Sequence, residues 1–276
     1  MSLRNVSWTW LTCALLGSVL GGCTSGEEND GPSGPTYAYP TSEAFCQALA
    51  EAECNDVVVE ACYGSDATSL DADRERCSGV RVTECNPLSL PYHPEFAEDC
   101  LDARKRVIDD AELTGDEIAE ADAACLPVFS AEGEIGTTCA RDTDCDTGGG
   151  LRCVVRLGAT TGLCQVPVSV SGGGACDAPE AVCTAGTFCS EVAGNYCIEQ
   201  PGADDACSIT APCASGFQCS AAEAGTCVAQ ATTGQSCASG SDCASGFCAL
   251  PSMGTTGVCT AVWRLELTAA TCDEYR

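Results

Sequence analysis

The chain has 276 residues, of which 26 are cysteine and only 5% aromatic, and its formal net charge is −28. So few large rings cannot fill an interior by themselves, so the composition marks a disulfide scaffold made where thiols oxidise. The charge excludes a nucleic-acid partner: Lys105 is the only lysine, and no Lys or Arg lies between Arg156 and Arg264 to neutralise phosphates.

The acidity reads as solubility and mutual repulsion at a surface, in preference to a specific cationic partner. A cytosolic metal protein is the competing reading of many cysteines. Zinc sites usually need C-x-x-C pairs and histidines. Here the tightest pair is Cys243 and Cys248, and His93 is the only histidine. No metal and no cofactor are therefore expected.

Residues 1–22 read as a targeting segment. Arg4 supplies the positive start and Trp8 to Leu20 the apolar run, too short to span a bilayer of roughly 30 Å as a helix. The run ends at Leu20-Gly21-Gly22-Cys23. That tetrad resembles the lipobox of bacterial lipoproteins; the alternative is an ordinary secretory signal with a stray cysteine. The resemblance implies that Cys23 becomes the N-terminus and carries a thioether-linked diacylglycerol and a palmitate-type N-acyl chain. Three chains anchor stably, since each buried methylene contributes about 0.8 kcal/mol. Thr24, where aspartate would retain the protein at the inner membrane, implies the outer membrane or cell surface. Residues 23–40, rich in Gly, Pro, Ser and acids, read as an acylated disordered tether. Cys13 leaves with the signal and Cys23 is acylated, so an even number of cysteines remains to pair.

Residues 41–134 switch to helical spacing and read as a small helical disulfide domain. Thr41 or Ser42 opens a helix through Ala50 or beyond, with Phe45, Cys46, Leu49 and Glu53/Cys54 near one face. A second helix covers Asn55 to Cys62, and Gly64 to Pro91 reads as irregular. Pro94 opens a third helix with Phe96, Cys100, Ala103 and Val107 on one stripe, and Arg104, Lys105 and Arg106 at its dipole-favoured end. Thr114-Gly115-Asp116-Glu117 is a capping box for a fourth helix carrying Ile118, Ala121 and Cys125, stopped by Pro127. This domain holds Cys46, Cys54, Cys62, Cys77, Cys85, Cys100 and Cys125. Its many carboxylates between Glu95 and Asp122 read as solvated helix faces. His93 has no nucleophile beside it, so no catalytic residues are assigned.

Residues 135–259 hold four sets of four cysteines. They are Cys139, Cys145, Cys153, Cys164; Cys176, Cys183, Cys189, Cys197; Cys207, Cys213, Cys219, Cys227; and Cys237, Cys243, Cys248, Cys259. Glycine precedes the third and fourth cysteine of each set, as in Gly246-Phe247-Cys248 and Gly257-Val258-Cys259. Such self-similarity marks internal repeats. Each reads as a two-stranded β-hairpin with glycines at positive-φ turns and two bridges in place of a core, each bridge contributing about 3 kcal/mol. Bonding of first to third and second to fourth is expected, although sequence leaves three connectivities open. Asp142, Asp144 and Asp146 resemble the start of a calcium loop, but its glycine and glutamate positions hold Thr147 and Cys153, which disfavours calcium.

The spacing, with Asp144-Cys145 and Asp242-Cys243 and their flanking glycines, resembles the Dickkopf N-terminal cysteine-rich pattern. It is also similar to cysteine-rich surface lipoproteins of myxobacteria. The adjacent cysteine pair of the animal domain is absent. The resemblance implies a fold type and no signalling role.

Residues 260–276 read as a strand, Ala261 to Leu267, and a tail. Cys272 is left over and is expected to bond the odd cysteine of the helical domain, with an intermolecular bond as the alternative. The chain thus reads as small and disulfide-rich, an α-helical cysteine domain followed by four β-hairpin-like repeats. It is expected to be a non-catalytic, surface-anchored lipoprotein for structure, adhesion or capture of a protein or glycan. Alternatives are an extracellular hydrolase using helical-domain carboxylates, or a protease inhibitor presenting the Pro201-Gly202 turn.

Overall fold

The computed structural model describes residues 35–64, 69–86, 88–109, 112–221, 224–251 and 254–276. The signal segment and Cys23 lie outside them. Five helices come first: α1 (Ser42–Glu53), α2 (Asp56–Tyr63), α3 (Leu70–Glu84), α4 (Ala97–Val107) and α5 (Gly115–Cys125). Three of the five starts carry a side-chain cap. Thr41 Oγ1 accepts from Ala44 N, and Thr114 and Glu117 form the reciprocal capping box of α5. Asn55 caps α2 by accepting from Val58 N at 3.0 Å, while its side-chain amide donates to Ile108 O at 2.8 Å. One residue thereby starts α2 and ties it to the end of α4.

Helix α3 corrects the expectation of an irregular stretch from Gly64 to Pro91. Only Asp73 and Cys77 of its residues are buried, so it has no apolar stripe to read. Two disulfides hold it instead, Cys46–Cys85 and Cys54–Cys77. Both pairs are eight residues apart on their helix, just over two turns, so both cysteines share a face and α3 lies antiparallel on α1. Cys100–Cys125 staples α4 to α5, where Arg104 donates to Asp122 and Arg106 to Glu120, each at 2.8 Å. The cations at the end of α4 therefore pair across helices as well as facing its negative pole.

Two small cores lie among the helices. One gathers Phe45, Ala97, Leu101 and Val128, edged by Tyr39, Tyr92 and Phe129. Tyr39 sits inside the segment expected to be a tether; its ring meets Phe45 and its carbonyl accepts from Tyr92 Oη at 2.6 Å. Ordered packing therefore begins before residue 41. The other core gathers Val58, Val59, Ala103, Val107, Ile108 and Ala121, and it is completed by Leu265 and Tyr275 from the tail.

Burial, helped by the Glu95 carboxylate and Tyr39, pushes the Tyr92 hydroxyl up to about 12, and burial raises Tyr275 further. Folding keeps these phenols protonated. Their contribution is intact below the ordinary tyrosine range and is lost as pH rises from about 10 toward 12. The midpoint of thermal unfolding should therefore fall steeply over that window, and Tyr92→Phe should blunt the fall. An identical alkaline profile in the variant would contradict the assignment to Tyr92.

The cysteine-rich half is built of small antiparallel strand groups. In the first, third and fourth units the strand bearing the fourth cysteine lies in the middle. It pairs with the strand of the third cysteine and, on its other edge, with that of the first. These units are three-stranded, where a two-stranded hairpin was expected. The second unit keeps the hairpin, Thr187–Ser190 with Tyr196–Glu199, plus a parallel pair, Val168–Val170 with Ala181–Cys183. The glycine before the third cysteine takes positive φ, as at Gly246 with φ 79°. The glycine before the fourth has a different cause in the fourth unit, because a Cβ on Gly257 would lie 2.1 Å from Ala249 O. Close strand approach, and not a left-handed turn, requires it.

Candidate functional site

Every described cysteine is bonded, in twelve disulfides. Within each unit the first cysteine bonds the third and the second bonds the fourth. The third and fourth cysteines face each other across the hairpin, as Cys153 faces Cys164, yet they do not bond each other. Each bonds outward instead, Cys153 to Cys139 and Cys164 to Cys145 in the first unit, and so pins the two flanking segments to one strand pair. Three sulfurs of each unit lie within 4.8 Å of one another. All belong to disulfides, so none is the thiolate a metal would need.

The aspartates of the calcium-like run are turned onto the backbone. Asp142 accepts from Cys153 N at 2.7 Å and Asp146 from Gly149 N at 2.8 Å. Asp144 accepts from Ala140 N at 2.8 Å and Arg141 N at 3.1 Å, and these bonds, the Ala140 amide foremost, hold its carboxyl below the usual range. Asp242 repeats this in the fourth unit with Ala238 and Ser239. The Asp-Cys pairs of the sequence therefore cap the turn that sets the second cysteine. Phe96 packs on the same loop, where a Cβ at Gly148 would lie 2.7 Å from its ring. That close approach gives Gly148 its reason and seats the first unit on the turn that leads into α4.

The other candidates make contacts within the fold. His93 Nε2 lies 3.1 Å from Ser130 O, joining the segments bridged at Tyr92 and Phe129. Glu120 and Asp122 face arginines, as described. In the Pro201-Gly202 turn, Pro201 O accepts from Ala214 N at 2.8 Å and Gly202 N donates to Asp205, so the turn is fastened inward on its own unit.

Cys272 bonds Cys62 within the chain. Around this bridge Tyr63 Oη donates to Tyr275 O, Arg276 Nε donates to Cys62 O at 2.9 Å, and Glu112–Leu113 pairs with Trp263–Arg264. Beneath it sits a cluster that sequence reading passed over. Glu53, 3% exposed, accepts from Arg81 Nε at 2.6 Å, with Arg104 Nε at 3.9 Å. Arg81 also lies 5.2 Å from the centre of the Tyr275 ring. The available signal was Glu53 standing beside Cys54 on the buried face of α1.

A groove of about 580 Å3 lies between the first three units, with walls of Val154, Leu157, Pro179, Val182, Phe188 and Pro212. Arg156 donates to the carbonyls of Cys176 and Asp177, stitching the first unit onto the second at this groove. Of sixteen exposed large apolar residues among those described, eight lie between Val155 and Ile198. Elsewhere they are scattered singly, as on any soluble surface. Among the described residues no helix is long and apolar enough to cross a membrane. Twelve disulfides place the chain in an oxidising, extracytoplasmic environment. No family model matches the chain, and neither a curated protein nor a solved structure matches it.

Proposed function

We propose that the protein is a non-catalytic binding module held at the bacterial outer membrane or cell surface by acylation of Cys23. The observation that carries this is an apolar groove between disulfide-fixed units, lined in part by the exposed side chains of Val155, Leu157, Val182 and Val192. An apolar surface that remains exposed on so acidic a chain is the signature of a contact site and not of solubility. Cross-linked units suit such a site, because a preorganised surface loses little entropy on binding. The sequence supports the address, with a lipobox-like Leu20-Gly21-Gly22-Cys23 ahead of a segment rich in Gly, Pro, Ser and acids. The Dickkopf-type spacing supports the scaffold alone, a disulfide module in place of an apolar core.

Cys23→Ser tests the anchor. The wild-type chain should partition with detergent-extracted membranes, and the variant should appear in the soluble fraction. A variant that stays with the membranes would contradict acylation at Cys23. Reproducible substrate turnover, abolished by one carboxylate substitution among the helices, would overturn the non-catalytic reading.

A further inference from the structure

A second, smaller cavity of about 260 Å3 lies where the fourth unit, the tail and the strand Glu112–Leu113 meet. Its walls include Phe247 from the fourth unit, Trp263 and Arg264 from the tail strand, and Glu266, Ala270 and Thr271 beyond it. The Phe247 and Trp263 ring centres are 5.8 Å apart with planes at 52°, so the two rings form an open corner. Trp263 is 40% exposed, and it is the only tryptophan after residue 10. Its strand is clamped by pairing with the helical part and by Thr271 Oγ1 donating to Arg264 O at 2.7 Å. An indole left half-bare on a braced strand is a preorganised platform.

The polar half of the lining narrows the guest. Arg264 is neutralised by Glu112 at 2.7 Å, and Glu266 has no ion pair among the described residues. A cationic guest would find one unpaired carboxylate, Glu266, because Glu112 is already committed to Arg264. An anionic guest would meet Glu266 and Glu112 on a chain of net charge −28. A purely apolar guest would leave the charged half without hydrogen-bond partners. The guest that uses both halves of the lining is a neutral ring, with one apolar face for the indole and hydroxyl groups at its edge for the Glu266 carboxylate and the Arg264 guanidinium. The cavity is smaller than the ~300 Å3 at which drug-sized pockets begin, which suits one small ring.

We propose that this corner binds a neutral pyranose unit of a glycan, stacked on Trp263 and hydrogen-bonded to Glu266 and Arg264. The inference deepens the surface-binding reading and rests on it for the protein's encounter with glycans. The pocket itself needs only the described fold.

Isothermal titration calorimetry of the full chain in detergent tests it, with cellobiose, maltose, lactose and N,N′-diacetylchitobiose as neutral probes. Digalacturonate and tetralysine serve as charged probes. At least one neutral disaccharide should bind, with an affinity insensitive to salt because no net charge is neutralised. Trp263→Ala should weaken it by about tenfold or more, while Trp263→Phe, which keeps a ring in the corner, should retain most of the binding. Absence of binding by all four neutral probes would overturn the proposal. So would binding by tetralysine or digalacturonate alone, or neutral binding untouched by Trp263→Ala. Saccharide binding by a protein that Cys23→Ser fails to release would keep the pocket and sink the anchor. Release of that variant without any saccharide binding would do the reverse.

Discussion

Replacing Cys62 and Cys272 together by serine should be among the most destabilising changes available in this chain. Their bridge closes a sequence separation of 210 residues, enclosing most of the helices and every four-cysteine unit. A cross-link of that span removes a large share of the unfolded chain's freedom, and the chain-entropy estimate is about 5 kcal/mol. The folded state loses less than that figure suggests, because the tail keeps its other attachments. Leu265 and Tyr275 remain buried, and Arg264 still faces Glu112. The double variant should therefore fold, unfold at a distinctly lower temperature, and release its last residues to limited proteolysis while the units stay resistant. An unchanged midpoint would contradict the clasp. A covalent wild-type dimer on a non-reducing gel, lost in Cys272→Ser, would show that the bond runs between chains.

Glu53→Gln is expected to have the next largest effect, and it separates buried from exposed charge. The Glu53 side chain is 4% exposed and that of Arg81 is 18% exposed. Removing the carboxylate leaves the desolvated Arg81 with Glu274 alone, its carboxylate at 3.7 Å and its carbonyl at 3.4 Å, and breaking a buried pair in this way costs about 3 kcal/mol or more. The same substitution at Glu120 removes a pair with Arg106 whose side chains are 62% and 67% exposed, and there the change should be below about 1 kcal/mol. Equal shifts in the two variants, measured by thermal unfolding with the disulfides intact, would contradict the electrostatic account of the tail's seat. Because Arg81 also lies over Tyr275, Glu53→Gln should loosen the tail as well.

How much of this was legible in the sequence depends on how each element is held. Helices α1, α2, α4 and α5 announce themselves through Thr41, Asn55, Pro94 and the Thr114–Glu117 box, because caps are local in sequence. Helix α3 does not, because its one buried apolar residue is Cys77 and its stability comes from two covalent bonds to α1. Pattern reading detects apolar faces and is blind to a helix fixed by staples. The units show their glycines and cysteine spacing, and the structure pairs first with third and second with fourth in all four. The third strand of a unit was not legible, since it is two residues long and forms only because the first cysteine is pulled to the far edge of the fourth-cysteine strand. Both cavities were also beyond sequence reasoning. Phe247 and Trp263 are separated by unremarkable residues, and their juxtaposition needs the tail to fold back on the helices.

The most direct test of the whole account is a peptide map of the non-reduced protein isolated from the membrane fraction. Cys139 linked to Cys153, Cys145 to Cys164, the matching pairs in the other three units, and Cys62 linked to Cys272 are the expected result. Bonding of first to second cysteines within any unit, or a free thiol at Cys272, would contradict the scaffold on which the grooves, the tail and the proposed binding role depend.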